Sequence, residues 1–209
     1  MESYLIILAG YVLGALNFAF FAGFLLKGID LRKHGNGNLG ATNTNRVLGT
    51  GPGIVVLILD AAKGVVAVYL GLQFAADGQW WLPLACGLAS IAGHNWPFYL
   101  KFKGGKGVAT ALGVMLMLYP IALSLALLVG VIVIALTRWV SLGSMVGALL
   151  VPLFIYLLGE MDATFWFSVV IALLVIIRHH SNIERLLKGT ENKISFKKKP
   201  NLGGESDGN

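Results

Sequence analysis

Three polar stretches in an otherwise apolar chain hold the residue types that could do chemistry. The first, Gly35–Arg46, reads GNGNLGATNTNR. It gathers Gly35, Gly37 and Gly40 with Asn36, Asn38, Asn43 and Asn45, two threonines including Thr42, and Arg46. Glycine permits positive φ and lets backbone N–H groups come close to a ligand. Successive N–H groups in such turns form anion-binding nests. Arginine adds a planar, charged fork suited to phosphate. A phosphate cradle is one reading; a flexible polar loop between two helices is the other, and the remaining stretches must decide between them.

The second stretch runs from His94 through NWPFYL into KFKGGKG and VAT. FKGGKGVAT has some likeness to a nucleotide-binding P-loop, but the required spacing of glycine, lysine and hydroxyl is absent and no strand precedes it. The physics is still shared. Gly104, Gly105 and Gly107 free the backbone, and the segment enters a helix whose first N–H groups favour an anion. Lys106 adds a point charge. The competing reading is that Lys101, Lys103 and Lys106 only mark the cytoplasmic side of a membrane.

The third stretch, Arg178–Gly189, reads RHHSNIERLLKG. His179 and His180 are adjacent and point to different helix faces, so they do not share a metal. His179 and Asn182 lie three apart on one face; His180 and Glu184 lie four apart on another and read as a surface pair. Histidine titrates near neutrality and is the default general acid or base. His179 and Glu184, with four residues between them, resemble the H-x-x-x-x-D acyltransferase motif, but with the wrong acid at the wrong end of the chain. Ser141 and Ser144 follow Arg138; Ser141 reads as a helix cap, and Ser144, deeper, is a candidate donor to a phosphate. His94 reads as a cap or a partner for loop backbone. Asp60 and Lys63 are three apart inside an apolar run, where charge is expensive and usually paired; they shape the loop above them or help attract anions. No spacing supports a zinc site, a nucleophile elbow or paired catalytic carboxylates.

The elements that must position these residues are membrane helices. Of 209 residues 56% are hydrophobic and only 12% charged, and mean hydropathy is +0.77; soluble domains carry about 25% charged residues. A net charge of +6 fits basic cytoplasmic loops, and nucleic acid is not an expected partner. The single cysteine, Cys86, lies in an apolar run, which excludes a disulfide or Cys-based metal site. Spans need about 20 apolar residues. Tyr4–Leu26 qualifies, and lacks the basic flank and cleavage site of a signal peptide. Ile54–Phe74, Trp80–Leu100, Ser141–Leu158 and Ala163–Ile177 follow. The block Val108–Thr137 is interrupted by Tyr119-Pro120, and loop charge decides its meaning. If it is two spans, every Lys and Arg except Lys63 falls on one side, and Glu2, Asp77, Glu160 and Asp162 fall on the other.

The expectation is therefore an all-α integral membrane protein of seven transmembrane helices, N-terminus out and C-terminus in the cytoplasm. Residues 1–192 form the membrane domain, and residues 193–209 a basic, disordered tail. The fourth span, about Val108–Leu118, is too short to cross comfortably and must start from a loop dipping into the membrane, where protein or a water-filled cavity surrounds it. All three polar stretches then share the cytoplasmic face. No internal repeat of the kind common in transporters is present.

The set GNGNLGATNTNR, GHNWPFYLKFKGGKGVATALG and RHHSNIERLLKG, in that order, resembles the PlsY family of bacterial acyl-phosphate-dependent glycerol-3-phosphate acyltransferases over residues 4–190. The resemblance implies transfer of a fatty acyl group from acyl phosphate to the 1-hydroxyl of glycerol 3-phosphate in the bacterial inner membrane. Lysophosphatidic acid is the product and a companion enzyme supplies the acyl phosphate. It implies no metal, no other cofactor and no direct use of acyl-CoA or acyl-carrier protein. By position, Arg46 and Lys106 match the family's phosphate-binding pair, Ser144 a serine of that pocket, and His179 and Asn182 the polar pair at the reacting hydroxyl. Gly37, Asn38, Gly40, Thr42 and Asn43 match the first motif; Gly104 and Gly105 lie in the second. The chain departs from the family at Asn36, usually serine, and at Gly14-Ala15, usually Gly-Ser.

Overall fold

The computed structural model describes residues 2–194, so most of the expected tail lies outside the described residues. Within them are ten α-helices, two short 3-10 turns and no strand. The first apolar run is two helices, α1 (Glu2–Ala15) and α2 (Phe18–Lys27). They break where Asn17 turns extended and its side chain caps α2 by accepting the Phe20 N–H. An asparagine competes with helical backbone in this way and starts a new helix instead. The polar loop that follows is not all loop: Ala41–Leu48 is a helix, α3, capped at Gly40 and ended at Gly49. Its sequence, ATNTNRVL, carries too few apolar positions to show a helical period.

α4 (Thr50–Phe74) is the longest element, and α5 spans Leu82–Asn95. The apolar block is divided as its proline requires: α6 is Val108–Leu118 and α7 is Pro120–Thr137, with Pro120 in the first turn of α7. Proline fits there because the first-turn N–H groups have no helical partner. α8 (Val140–Leu157), α9 (Ala163–Arg178) and α10 (His180–Leu187) complete the chain. Four helical segments are long and apolar enough to cross a bilayer, or five if α9 and α10, bent by 58°, count as one.

The main packed pairs are α1 with α5, α4 with α5 and α6, α7 with α8, and α8 with α9. Close approach of α4 and α6 depends on small residues. A Cβ added at Gly113 would stand 1.9 Å from the Ala61 carbonyl oxygen. Small residues at such contacts let backbones meet, which drives association where the surroundings are already apolar. The other faces carry large apolar side chains outward, Leu136 being 80% exposed. An apolar exterior of this extent marks a lipid-facing surface. The buried core, from Val68 and Ile91 through Val114 to Ile171 and Val175, lies between helices α4 to α9.

Candidate active site

The three polar stretches converge. The first loop is tied by Asn43, which is fully buried and spends its amide on backbone. Its Oδ1 accepts the Asn36 N–H at 2.9 Å, and its Nδ2 donates to the carbonyls of Leu31 and His34 at 3.1 and 3.0 Å. Asn36 in turn accepts the Asn38 N–H through its Oδ1 at 3.1 Å. Such side-chain-to-backbone bonds hold glycine-rich turns that have no ladder of their own. α3 then carries Thr42 and Arg46 forward. Arg46 is exposed and has no ion-pair partner among the described residues.

The second loop is pinned from both sides. Gly104 and Gly105 donate their N–H groups to the carbonyls of Asn95 and His94, which the end of α5 leaves free. Arg178 donates to the Gly105 carbonyl at 2.7 Å while its guanidinium lies 5.3 Å from the centre of the Trp96 ring. Gly107, in the left-handed region at φ 79°, turns the chain into α6. A Cβ disfavours that conformation. Lys106 is thereby set in front of the first turn of α6, and its ammonium donates to Asn182 Oδ1. Burial, with Arg185 and Arg178 nearby, pushes Lys106 down to about 8 against the pull of Glu191.

His179 occupies the break between α9 and α10, beyond the last span, and is only 2% exposed. Its Nδ1 lies 2.7 Å from the Val175 carbonyl. A carbonyl only accepts, so the proton sits on Nδ1 and Nε2 offers a lone pair. Burial, reinforced by the Lys106 charge, pushes this histidine down to about 4, so it is neutral around physiological pH. Asn182 is held between two charges. Its Nδ2 donates to Glu191 at 2.6 Å while its Oδ1 faces Lys106. Glu191 also accepts from Ser141 Oγ and from Arg185 Nε, each at 2.7 Å. Burial alone would raise its carboxyl; donation from Ser141, Arg185 and Asn182 holds it below the usual range.

Two expectations change here. Ser141 is not a cap: Trp139 holds that position, and the Ser141 hydroxyl serves Glu191. Glu184 does not pair with His180 but with Lys188, at 2.6 Å on the surface. Glu191 itself was not singled out by its sequence context. The available signal was a lone acid between Lys188 and Lys193, just past the glycine that ends the last polar stretch.

A cavity of about 450 Å³ opens between these segments. Asn36, Asn38, Gly40, Thr42 and Arg46 line its polar end from one side; Lys106, Ser144, His179, Asn182 and Glu191 line it from the others. It continues without interruption into an apolar cleft walled by Leu112 and Met115 of α6, Leu127, Val131 and Ile134 of α7, and Gly147 of α8. Its size is that of ordinary small-molecule sites. A second recess of about 170 Å³ shares Lys106 and adds Gly37, Arg178, Ser181 and Arg185. Asn43, Gly104 and Gly105 line neither; they form the scaffold behind the lining residues.

An all-helical membrane fold with a cationic pocket opening into an apolar cleft defines a class of protein that handles an amphiphilic anion. The family model for glycerol-3-phosphate acyltransferase matches residues 4–189. A glycerol-3-phosphate acyltransferase of Halalkalibacterium halodurans is 46% identical over 93% of this chain and 97% of its own. One from Synechococcus is 46% identical over 95% of this chain and 98% of its own. The crystal structure of PlsY, an integral membrane glycerol 3-phosphate acyltransferase, in its glycerol 3-phosphate form superposes with a TM-score of 0.86 at 38% identity, covering 93% of this chain and 96% of that one. Its lysophosphatidic acid form gives 0.83 at 37%. This chain belongs to the glycerol-3-phosphate acyltransferase family of the PlsY type, and it is a multi-pass membrane protein.

Proposed function

We propose that this chain transfers a fatty acyl group from acyl phosphate to the 1-hydroxyl of glycerol 3-phosphate, giving lysophosphatidic acid and phosphate. The observation that carries this reading is the single cavity that is cationic at one end and apolar at the other. A fatty acyl phosphate has the same division: a dianionic head and a hydrocarbon chain. The cleft of α6, α7 and α8 takes the chain. The polar end, with the recess beside Lys106, has room for two phosphates flanking one ammonium. Arg46, Thr42, Asn36, Asn38, Gly40 and Ser144 bind substrate around Lys106, Gly37 lies in the recess, and His179 and Asn182 contact the reacting hydroxyl.

The chemistry needs no covalent enzyme intermediate. The hydroxyl oxygen attacks the acyl carbon, the bond from that carbon to the phosphate oxygen breaks, and phosphate leaves with the electron pair. His179 and the departing phosphate compete for the hydroxyl proton. Phosphate departs with the electron pair of the broken C–O bond as orthophosphate, a stronger base than the buried, neutral imidazole of His179. The phosphate is the stronger base, so it takes the proton, and the Nε2 lone pair of His179 aligns the hydroxyl. Catalysis is then positioning of two anions and neutralisation of charge at phosphate and developing oxyanion by Lys106 and Arg46.

The same proposal places the site on the cytoplasmic face of a bacterial inner membrane, with seven spans and the N-terminus outside. Each apolar segment expected to cross is helical over most of its length, and the placement of every Lys and Arg except Lys63 on one side supports that orientation. α5 and α6 have 14 and 11 residues, about 21 and 17 Å at 1.5 Å per residue against a hydrocarbon core of about 30 Å. Each is shorter than the core, so the Gly104–Gly107 loop joining their cytoplasmic ends dips into the membrane to meet them. Donor delivery by a companion enzyme that makes acyl phosphate follows from the same reading.

Purified protein incubated with radiolabelled glycerol 3-phosphate and palmitoyl phosphate is expected to form lysophosphatidic acid. Uptake of label into vesicles without new product would assign an anion transporter instead and overturn the proposal.

A further inference from the structure

One buried charged cluster lies against the cavity, whose lining includes Asp60 and His94. Asp60, Lys63 and His94 have side chains 1%, 3% and 4% exposed. The Lys63 ammonium lies 2.8 Å from Asp60 Oδ1 and 2.8 Å from His94 Nδ1, and donates to the Leu16 carbonyl at 3.0 Å. That carbonyl belongs to the break between α1 and α2 at Asn17. An ammonium only donates, and it lies 2.8 Å from the His94 nitrogen. His94 Nδ1 is therefore the acceptor of a bond from Lys63, and the imidazole proton is on Nε2.

The far edge of that ring is where the loops meet. A Cβ added at Gly105 would stand 2.1 Å from His94 Nε2 and 2.4 Å from the Leu39 carbonyl oxygen. The imidazole is thus wedged where Gly105, the residue before Lys106, meets Leu39, the residue before Gly40. The backbone repeats the contact: Gly105 N–H donates to the His94 carbonyl at 3.0 Å, and Gly104 N–H to that of Asn95 at 3.2 Å. Five segments come together on one lysine and one ring: the first-span break, α4, the end of α5 and both glycine loops. Beside them, Leu39 of the first loop and Leu100 at the entry to the second share a small buried apolar cluster.

We propose that Lys63 and His94 are positioning residues that set the distance between the two anion-binding loops, and so between Lys106 and the Arg46 side of the cavity. The inference rests on the acyl-transfer reading for its substrates, but not for its geometry. Lys63, anchored by Asp60, fixes the rotation of the His94 ring. The ring edge abuts Gly105 where that residue touches the Leu39 carbonyl, and so buttresses the contact between the two loops. Misplacing a binding group by about 1 Å costs up to about a hundredfold. Because Lys106 holds the ground-state phosphate as well as neutralising charge in the transition state, a displacement of the whole loop shows first in KM.

The test compares His94→Asn with His94→Gln in detergent-purified enzyme, measuring KM and kcat for both substrates alongside Tm. Asparagine keeps an acceptor for Lys63 but withdraws the far edge of the ring; glutamine restores a polar group of nearly the ring's reach. We expect His94→Asn to raise KM for glycerol 3-phosphate at least about tenfold with kcat within about threefold, and His94→Gln to recover most of that loss. Lys63→Arg keeps the charge beside Asp60 but not the point contact with Nδ1, and is expected to raise KM in the same way. It decides the matter if His94→Asn does not fold. Folded variants with wild-type KM overturn the proposal. So does a fall in Tm and kcat together at unchanged KM, which is what a purely structural role gives. Calorimetric binding of glycerol 3-phosphate to wild-type enzyme separates this inference from the reading beneath it: no binding there overturns both, whereas binding with unmoved variants overturns only this one.

Discussion

Replacing Lys106 is the sharpest perturbation of the site, because its charge is conditional. The ammonium is half-buried between two loops and its pKa is pushed down to about 8 by that burial. In the unliganded enzyme it is therefore about nine-tenths charged near pH 7 and about one-tenth charged near pH 9. Loss of a proton as pH rises through about 8 removes the charge that binds phosphate, so kcat/KM must fall on the alkaline side with an apparent pKa near that value. A bound phosphate favours the charged lysine and raises its pKa by about one to three units. The alkaline limb of kcat must consequently lie above the limb of kcat/KM, since the two report free and bound enzyme. Lys106→Met removes the charge at every pH. A hydrogen bond to a charged group contributes about 1.5–3 kcal/mol, or about 10- to 150-fold in kcat/KM for each phosphate engaged. With both substrates touching one ammonium, the loss reaches about four orders of magnitude, and Lys106→Ala is expected to be inactive. Lys106→Arg is the control: guanidinium does not titrate in the range, so the limb must disappear while partial activity remains. The assay is initial-rate lysophosphatidic acid formation across the pH range, with folding checked by size exclusion. A limb of unchanged position in Lys106→Arg, or near-wild-type turnover in Lys106→Met, refutes the assignment of phosphate binding to this residue.

Four further outcomes are expected. His179→Gln retains a neutral polar group and should keep about a tenth of kcat, whereas His179→Ala should lose about a hundredfold or more; equal loss in both would mean that His179 takes the proton itself. Asn36→Ser should stay within about threefold of wild type in kcat/KM, because a serine hydroxyl can accept the same Asn38 N–H two residues on; a much larger rise would give that position a hydroxyl-dependent role. Val131→Trp, on the apolar wall of the cleft, should raise KM for palmitoyl phosphate about tenfold and leave that for glycerol 3-phosphate unmoved; equal shifts would place the acyl chain elsewhere. In intact cells, with Cys86→Ala as background, an impermeant maleimide should label Asp77→Cys and not Ser181→Cys; the reverse labelling would invert the proposed orientation.

Much of the helical layout was legible because each apolar segment is bounded by charge or proline. Pro120 stands at the division of α6 from α7, where loop charge had required one. α3 was not legible. Its eight residues are half asparagine and threonine, which favour turns by local hydrogen bonding, and only docking onto α4 makes the helix worthwhile. The short α5 and the kink at Asn17 were hidden for a related reason: hydropathy averages over a window, and one asparagine does not lower it. Of the site, the sequence exposed the side chains that line the cavity, since Arg46, Lys106 and His179 are conspicuous in apolar surroundings. It did not separate them from Asn43, Gly104 and Gly105, which sit in the same motifs but face backbone. Nor did it show Glu191, because a carboxylate past a helix end gains meaning only when Ser141, Asn182 and Arg185 converge on it from three directions.

That convergence explains why the polar pocket can exist at an apolar boundary at all. Arg185, Lys106 and Arg178 stand together around neutral His179 and repel one another, and the energy of such a cluster rises steeply as water is withdrawn. Glu191 supplies one compensating charge within hydrogen-bond distance of Arg185 and, through the Asn182 amide, orders Lys106. A single carboxylate balances part of three cations and leaves a net positive field. The site is therefore stable when empty yet still under-neutralised, and a phosphate entering it completes the charge rather than competing for it. The same accounting fixes the polarity of Asn182. With Nδ2 committed to the carboxylate, only Oδ1 faces the ammonium, so when substrate phosphate draws Lys106 away, Oδ1 becomes the free acceptor beside the His179 lone pair. Two acceptors side by side suit a hydroxyl donor and repel an anionic oxygen. On the proposed reading they select the glycerol hydroxyl, not a second phosphate, for the place next to the acyl carbon.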